Sequence, residues 1–213
     1  LAGLAISLLY QFTTVPLIMK AEEFETKQSA DARYTTGTDK FVVHLVHNSD
    51  PKSNHPEWEP ASFVERIVYT SLTTIISGVG FALLIVSALV IRGSSGGFRI
   101  GVLWGIGGFA AFILAPAVGL PPELPGMMKA ELIGRQLWWL GTAIVTATGL
   151  WILVFYKNPS LYVLAFILLL APHVLGAPIQ HSIQSSIIPA ELAAKFSTVS
   201  IGVNFIFWLM LGG

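Results

Sequence analysis

The sequence predicts an all-α, polytopic integral membrane protein, with about six transmembrane helices and one long outer loop between the first two. Three observations carry that expectation. The chain is 54% hydrophobic and only 11% charged, with a mean hydropathy of +0.70, whereas soluble domains carry about a quarter charged residues. Its apolar runs approach the roughly 20 residues that a bilayer-spanning helix needs. The polar stretches between the runs alternate between basic and acid-bearing. Together these give a single membrane domain over residues 1–213, with spans at 1–19, 67–91, 100–120, 137–156, 161–176 and 192–211 and a polar excursion at 20–66.

The first run, Leu1 to Met19, has Pro16 in its last turn, where a break is tolerated as the chain leaves the bilayer. The acid-rich Lys20 to Glu25 reads as a helical extension. The excursion holds most of the charge and two turn-like clusters, at 35–39 and 47–51. Between them Phe41 to Val46 is a short apolar stretch, suited to a strand or turn packed on the helices. The second span carries small and hydroxylated residues in its first half (Thr70, Ser71, Thr73, Thr74, Ser77, Gly78, Gly80), which allow other helices to approach closely. Arg92 to Arg99 is a glycine- and serine-rich turn with two arginines and no acid. In the third span, Gly101-x3-Gly105 fits a small-residue packing face, and Pro116 lies near the far end.

A proline- and acid-containing stretch, Gly119 to Trp139, leads into the fourth span, whose ends carry Trp138, Trp139 and Tyr156 as interfacial aromatics. The fifth span is expected to break at Pro172-His173, and a loop with His181 follows over 177–191. The sixth holds Asn204 near its middle, as interhelical glue.

Six spans place the Arg92/Arg99 and Lys157 turns on one side. The other side takes the excursion, the 119–139 stretch, the 177–191 loop and all twelve acids. Basic short turns mark the cytoplasmic side. Both termini are therefore expected in the cytoplasm or organelle interior, with residues 20–66 outward. The membrane would be the inner (cytoplasmic) membrane of a bacterium or the inner membrane of an organelle. The zero net charge gives no reason to expect a nucleic-acid partner; the bilayer itself is the first partner. Cysteine is absent, which excludes disulfides and thiolate chemistry. No phosphate-binding loop, His-Glu-x-x-His or nucleophile elbow is present, so no enzyme activity is expected.

Three groups of residues have the chemistry of divalent metal ligands. His44, His47, His55 and Glu57 combine imidazole and carboxylate, which suit cobalt, nickel or zinc. Their spacing matches no closed zinc pattern, and on spacing alone an exposed loop with scattered histidines is the simpler reading. Glu123 and Met127 lie in the 119–139 stretch beside Lys129, Glu131 and Arg135. Here the simpler reading is a solvated turn, with Glu131 pairing Arg135 at i, i+4. His173, next to Pro172, either lines a site at a helix break or bonds to backbone that the proline frees.

Several segments together resemble one family. They are Glu57-Trp58-Glu59-Pro60 with Glu65-Arg66, Gly78-x-Gly80-Phe81-Ala82, Leu103-Trp104-Gly105-x2-Gly108-Phe109, and Leu114-Ala115-Pro116 running on to Leu120-Pro121-Pro122-Glu123-Leu124-Pro125-Gly126. Arg135-Gln136-Leu137-Trp138-Trp139, Pro172-His173-x2-Gly176-Ala177-Pro178 and Pro189-Ala190-Glu191-Leu192 continue the pattern to the C-terminus. The chain is similar to the cobalt transporter subunit family CbtA. That resemblance implies a membrane component of a cobalt (divalent transition metal) uptake system, with Co2+ as the transported ion and a small, histidine-rich, CbtB-like membrane protein as partner. The family's dense His/Asp run before the Glu-Trp motif is thinned here to His44, His47, Asp50 and His55. The alternative expectation is a non-transporting accessory subunit of a larger integral-membrane complex.

Overall fold

The computed structural model describes residues 2–35, 63–93, 96–125, 127, 131–178 and 188–213. His44, His47, His55, Glu57, Met128, Lys129, His181 and the 41–46 stretch lie outside the described residues. What is described is helical: α1 (Ala2–Thr13), α2 (Val15–Thr35), α3 (Phe63–Arg92), α4 (Phe98–Phe109), a π-helical segment (Ala110–Leu114), α5 (Ala115–Gly119), α6 (Leu132–Phe155), α7 (Pro159–Leu175) and α8 (Ala190–Gly212). Five stretches are long and apolar enough to cross a membrane: 2–24, 64–92, 98–119, 132–155 and 190–212. α7 is a shorter apolar helix of 17 residues. The all-helical polytopic fold is therefore the one expected.

The chain departs from the expected boundaries where proline or polar sequence misleads. The first run passes Met19 into the helical extension expected over Lys20 to Glu25 and overshoots it. It breaks for one residue at Thr14 and continues as α2 to Thr35. Proline lacks the N–H that would bond back one turn, and Leu17 and Ile18 both turn to the Thr14 carbonyl, each at 3.1 Å. α6 starts at Leu132 rather than near Leu137, so Arg135 lies inside its first turn. α7 does not break at Pro172-His173. It runs through both residues and stops at Gly176, whose φ of 81° is a left-handed conformation that glycine adopts without strain. Pro116 has the nearest thing to the expected effect of a proline: the π-helical turn just before it takes an extra residue into the helix.

α8 is the centre of the bundle. It runs antiparallel to α4 at backbone contact, with Gly101 against Gly212 and Gly105 and Gly108 against Trp208. This is the small-residue face the glycine spacing predicted. Trp208, 1% exposed, is the largest buried side chain and stacks on Phe112 at 5.7 Å between centroids. On its other side α8 meets α1, where the Asn204 amide donates to the Tyr10 hydroxyl at 3.2 Å. α3 packs on α1 through a Ser7–Ser71 hydrogen bond and a close approach of Gly3 to Ile75. Its opposite face, Leu72, Ile76, Val79, Leu83, Val86 and Val90, is more than half exposed. In water so long an apolar stripe would be an aggregation surface; in lipid it is the solvated face of a span.

These contacts define two ends. One carries α2, the start of α3, residues 120–125 and the start of α8, with an Arg66–Glu22 ion pair of 2.6 Å between α3 and α2 and a cluster of Leu17, Ala21, Leu124, Ile188 and Phe196. The other carries Arg92, Arg99 and Lys157, with no acidic side chain among its described residues. There Phe98 meets the end of α8, and Arg92 lies over the Phe155 ring at 4.5 Å.

Candidate functional site

At the acid-bearing end, the 120–125 connection leaves α5 and folds back across the start of α6. Gly119 permits this, because a Cβ there would run into the Trp138 ring and lie 3.0 Å from the Ala177 Cβ. Pro121, Pro122 and Pro125 stiffen the connection. Leu124 is fully buried, and its N–H donates to the Met127 sulfur at 3.3 Å. Met127 thus closes the turn and packs beside the cluster formed with α2 and α8.

With the turn held, Glu123 faces Arg135. An Arg135 guanidinium nitrogen lies 3.1 Å from the Glu123 carboxylate, with side chains 25% and 16% exposed respectively. Sequence spacing suggested Glu131 as the partner instead. The structure puts Glu131 at the N-cap of α6, extended and exposed, and the ion pair of Arg135 is made with Glu123. A cation in the first turn of a helix opposes the helix dipole, and Glu123 offsets that cost through space. The pair is not saturated: Glu123 Oε2 takes the guanidinium contact, while Arg135 Nε is buried without a hydrogen-bond partner.

The same lack of partners continues down α6. Trp138 Nε1, Thr142 Oγ1 and Thr146 Oγ1 are also buried and unpartnered. Positions 135, 138, 142 and 146 are spaced 3, 4 and 4 apart and so share one helix face. Thr142 and Thr146 are 2% and 4% exposed. By contrast, Thr13, Thr74, Thr148 and Thr198 each donate to the carbonyl one turn back. Buried polar groups are normally satisfied, so a file of unsatisfied ones along an inner face is chemically unusual. It can accept or donate hydrogen bonds to water or to a hydrated ion.

α7 closes the file from the side. A Cβ added at Gly149 of α6 would lie 3.1 Å from the Ala165 carbonyl and from Leu169, and one added at Gly134 would lie 3.8 Å from Pro178. Interpolating this antiparallel register puts His173 at about the height of Thr142. His173 Nδ1 is likewise buried and unpartnered, and makes no bond to backbone. Glu123 therefore lies at the Arg135 end of α6, His173 about two turns further in at the height of Thr142, and Met127 in the Leu124 turn and its apolar cluster. Among the described residues, no three His, Asp or Glu side chains come together. Sequence reasoning missed Arg135 as partner of Glu123, and missed Trp138, Thr142 and Thr146. The 3-4-4 spacing was a readable signal, but threonines in a span also suit plain helix packing.

The fold and this half-buried polar file define a polytopic helical membrane protein with polar chemistry directed into its interior. The family described as Probable cobalt transporter subunit (CbtA) matches residues 1–213, the whole chain, and the chain belongs to that family. No curated protein and no solved structure gives a match.

Proposed function

We propose that this chain is the ion-handling membrane component of a cobalt uptake system, and that Co2+ enters along the α6 face from the acid-bearing end. The observation that carries this reading is the file of buried polar groups that starts at the Glu123–Arg135 ion pair and continues through the unpartnered Trp138, Thr142 and Thr146. Imidazole and carboxylate oxygen are suitable ligands for a borderline divalent ion, and His173 and Glu123 supply one of each. Met127 acts by holding the turn that presents Glu123. An arriving cation competes with Arg135 for the carboxylate, so the ion pair serves as a charge-balanced stopper. Beyond it, the Thr142 and Thr146 hydroxyls accept hydrogen bonds from the water shell of the ion.

His44, His47, His55 and Glu57 act as collectors on the outer excursion, which faces outward while the termini face the cytoplasm. The host is a bacterial inner membrane or an organelle inner membrane. The sequence holds no nucleotide-binding loop, so an ion gradient or another subunit supplies the energy, with a CbtB-like protein as the natural partner.

The test is cobalt accumulation in cells expressing His173→Ala, Glu123→Gln or Thr146→Val at matched protein levels. Uptake is expected to fall at least tenfold for the first two and severalfold for the third, the scale on which a lost ligand or hydrogen bond acts. Uptake equal to wild type in all three would remove the site.

A second reading is favoured by Arg135, a fixed cation standing where a cation would enter. On that reading the chain is an accessory subunit, and the ion passes through a neighbour. Metal analysis of the purified complex separates the two: cobalt retained by this chain alone supports the first, and cobalt found only with the partner supports the second.

A further inference from the structure

Toward the basic end, the bundle opens a cavity that the uptake reading does not use. It has a volume of about 490 Å3, lies between α3 and α6, and has α4 and α8 as its floor. Small-molecule sites typically measure roughly 300–1,000 Å3. Its wall is carbon almost throughout, including Leu103, Trp104, Trp151, Val154 and Phe155, and Gly107 adds no side chain to it. The cavity extends from Phe155 and Ile100, near the basic end, inward to Phe112 and Ala111 on the π-helical segment.

The rim differs chemically from the wall. Arg92 lies over the ring of Phe155, itself a wall residue, at 4.5 Å. Stacking uses the guanidinium face and leaves its N–H edge free for an anion, and this edge suits phosphate. Arg99 and Lys157 stand at the same end, which has no acidic side chain among its described residues.

We infer that this cavity is a binding site for an anionic phospholipid, with the phosphate on Arg92 and one acyl chain running inward past Gly107. The size argues for a chain rather than a protein segment, because a single turn of helix, about 10–12 Å across with its side chains, already takes up a volume comparable to the whole cavity. The charge argues for an anionic headgroup over a zwitterionic one. A basic turn on the cytoplasmic side faces the leaflet where anionic lipids concentrate. The site is independent of the polar file and holds whether or not this chain carries the ion.

The test uses the full chain reconstituted in phosphatidylcholine vesicles containing a minor fraction of lipid brominated in mid-chain. Of the six tryptophans in the sequence, Trp104, Trp151 and Trp208 line the cavity and report bromine by loss of fluorescence. Brominated phosphatidylglycerol is expected to quench about fivefold more effectively than brominated phosphatidylcholine, the effect of one basic group near a membrane surface. Arg92→Gln should at least halve that preference. Gly107→Leu should lower quenching by both lipids, because Gly107 lines the cavity and a Cβ there meets nothing within 4 Å, so the side chain extends into the cavity. Equal quenching of the wild type by the two lipids overturns the proposal, as does a preference that survives both substitutions. Wild-type fluorescence shielded from both lipids would also overturn it, by showing that protein covers the cavity.

Discussion

A guanidinium in the first turn of α6 is stable only because a carboxylate from another element reaches it. Glu123 and Arg135 are both largely out of solvent and 3.1 Å apart. Removing one therefore strands the other as an uncompensated charge, whereas removing both exchanges an ion pair for a neutral polar pair. Breaking a buried pair costs roughly 3 kcal/mol at the low end, and replacing the whole pair is often near neutral. Arg135→Gln and Glu123→Gln should each lower the thermal unfolding midpoint in detergent, and the double variant should recover most of the loss. Additive losses would mean that the two charges are not coupled. The cycle also bears on transport. If the pair is a stopper, the double variant regains stability without regaining uptake. Sequence alone did not locate this partner. Local spacing favours Glu131, one turn back, and only the fold of the Pro121–Pro125 connection, which carries no periodicity, makes Glu123 the nearer acid.

At the scale of elements, the α4–α8 seam depends on glycine. Gly105 lies against the Trp208 carbonyl, so an added methyl meets backbone that cannot rotate away, while Gly107, half a turn on, faces open space. Gly105→Ala should cost about 1–3 kcal/mol by overpacking. Gly107→Ala should stay within about 1 kcal/mol of wild type, on the stabilising side, since alanine is the better helix former. Thermal unfolding of the two variants checks this directly, and equal effects would show that the seam is not at backbone contact. This seam was readable in the sequence because Gly101-x3-Gly105 encodes both the spacing and the size of the contact. The Asn204 link was readable because an amide inside a span has to find a partner. Pro172 was misread. A proline deprives only the Leu168 carbonyl of its donor, and tertiary packing against α6 keeps α7 helical until Gly176 ends it.

For the whole molecule, membrane placement is the property that sequence and coordinates carry jointly. Charge sorting divided the connections into two classes, and the structure places those classes at opposite ends: Glu22, Glu123 and Glu191 at one, Arg92, Arg99 and Lys157 at the other. Neither the polar file nor the lipid cavity could be seen at this level. Each exists only where faces of separate helices meet, and a linear reading contains no such meeting. The direction proposed above, with Lys157 inside and Glu191 outside, rests on the basic turns alone. The absence of cysteine makes that measurable, because any single introduced cysteine is the only thiol present. Glu191→Cys and Lys157→Cys are both exposed positions. In intact cells, a membrane-impermeant maleimide should label Glu191→Cys fully and Lys157→Cys only after permeabilisation. The reverse pattern would invert the molecule. It would put the Glu123–His173 end in the cytoplasm, where it could release cobalt but not receive it from outside, and the uptake reading would then have to run from the Arg92 end.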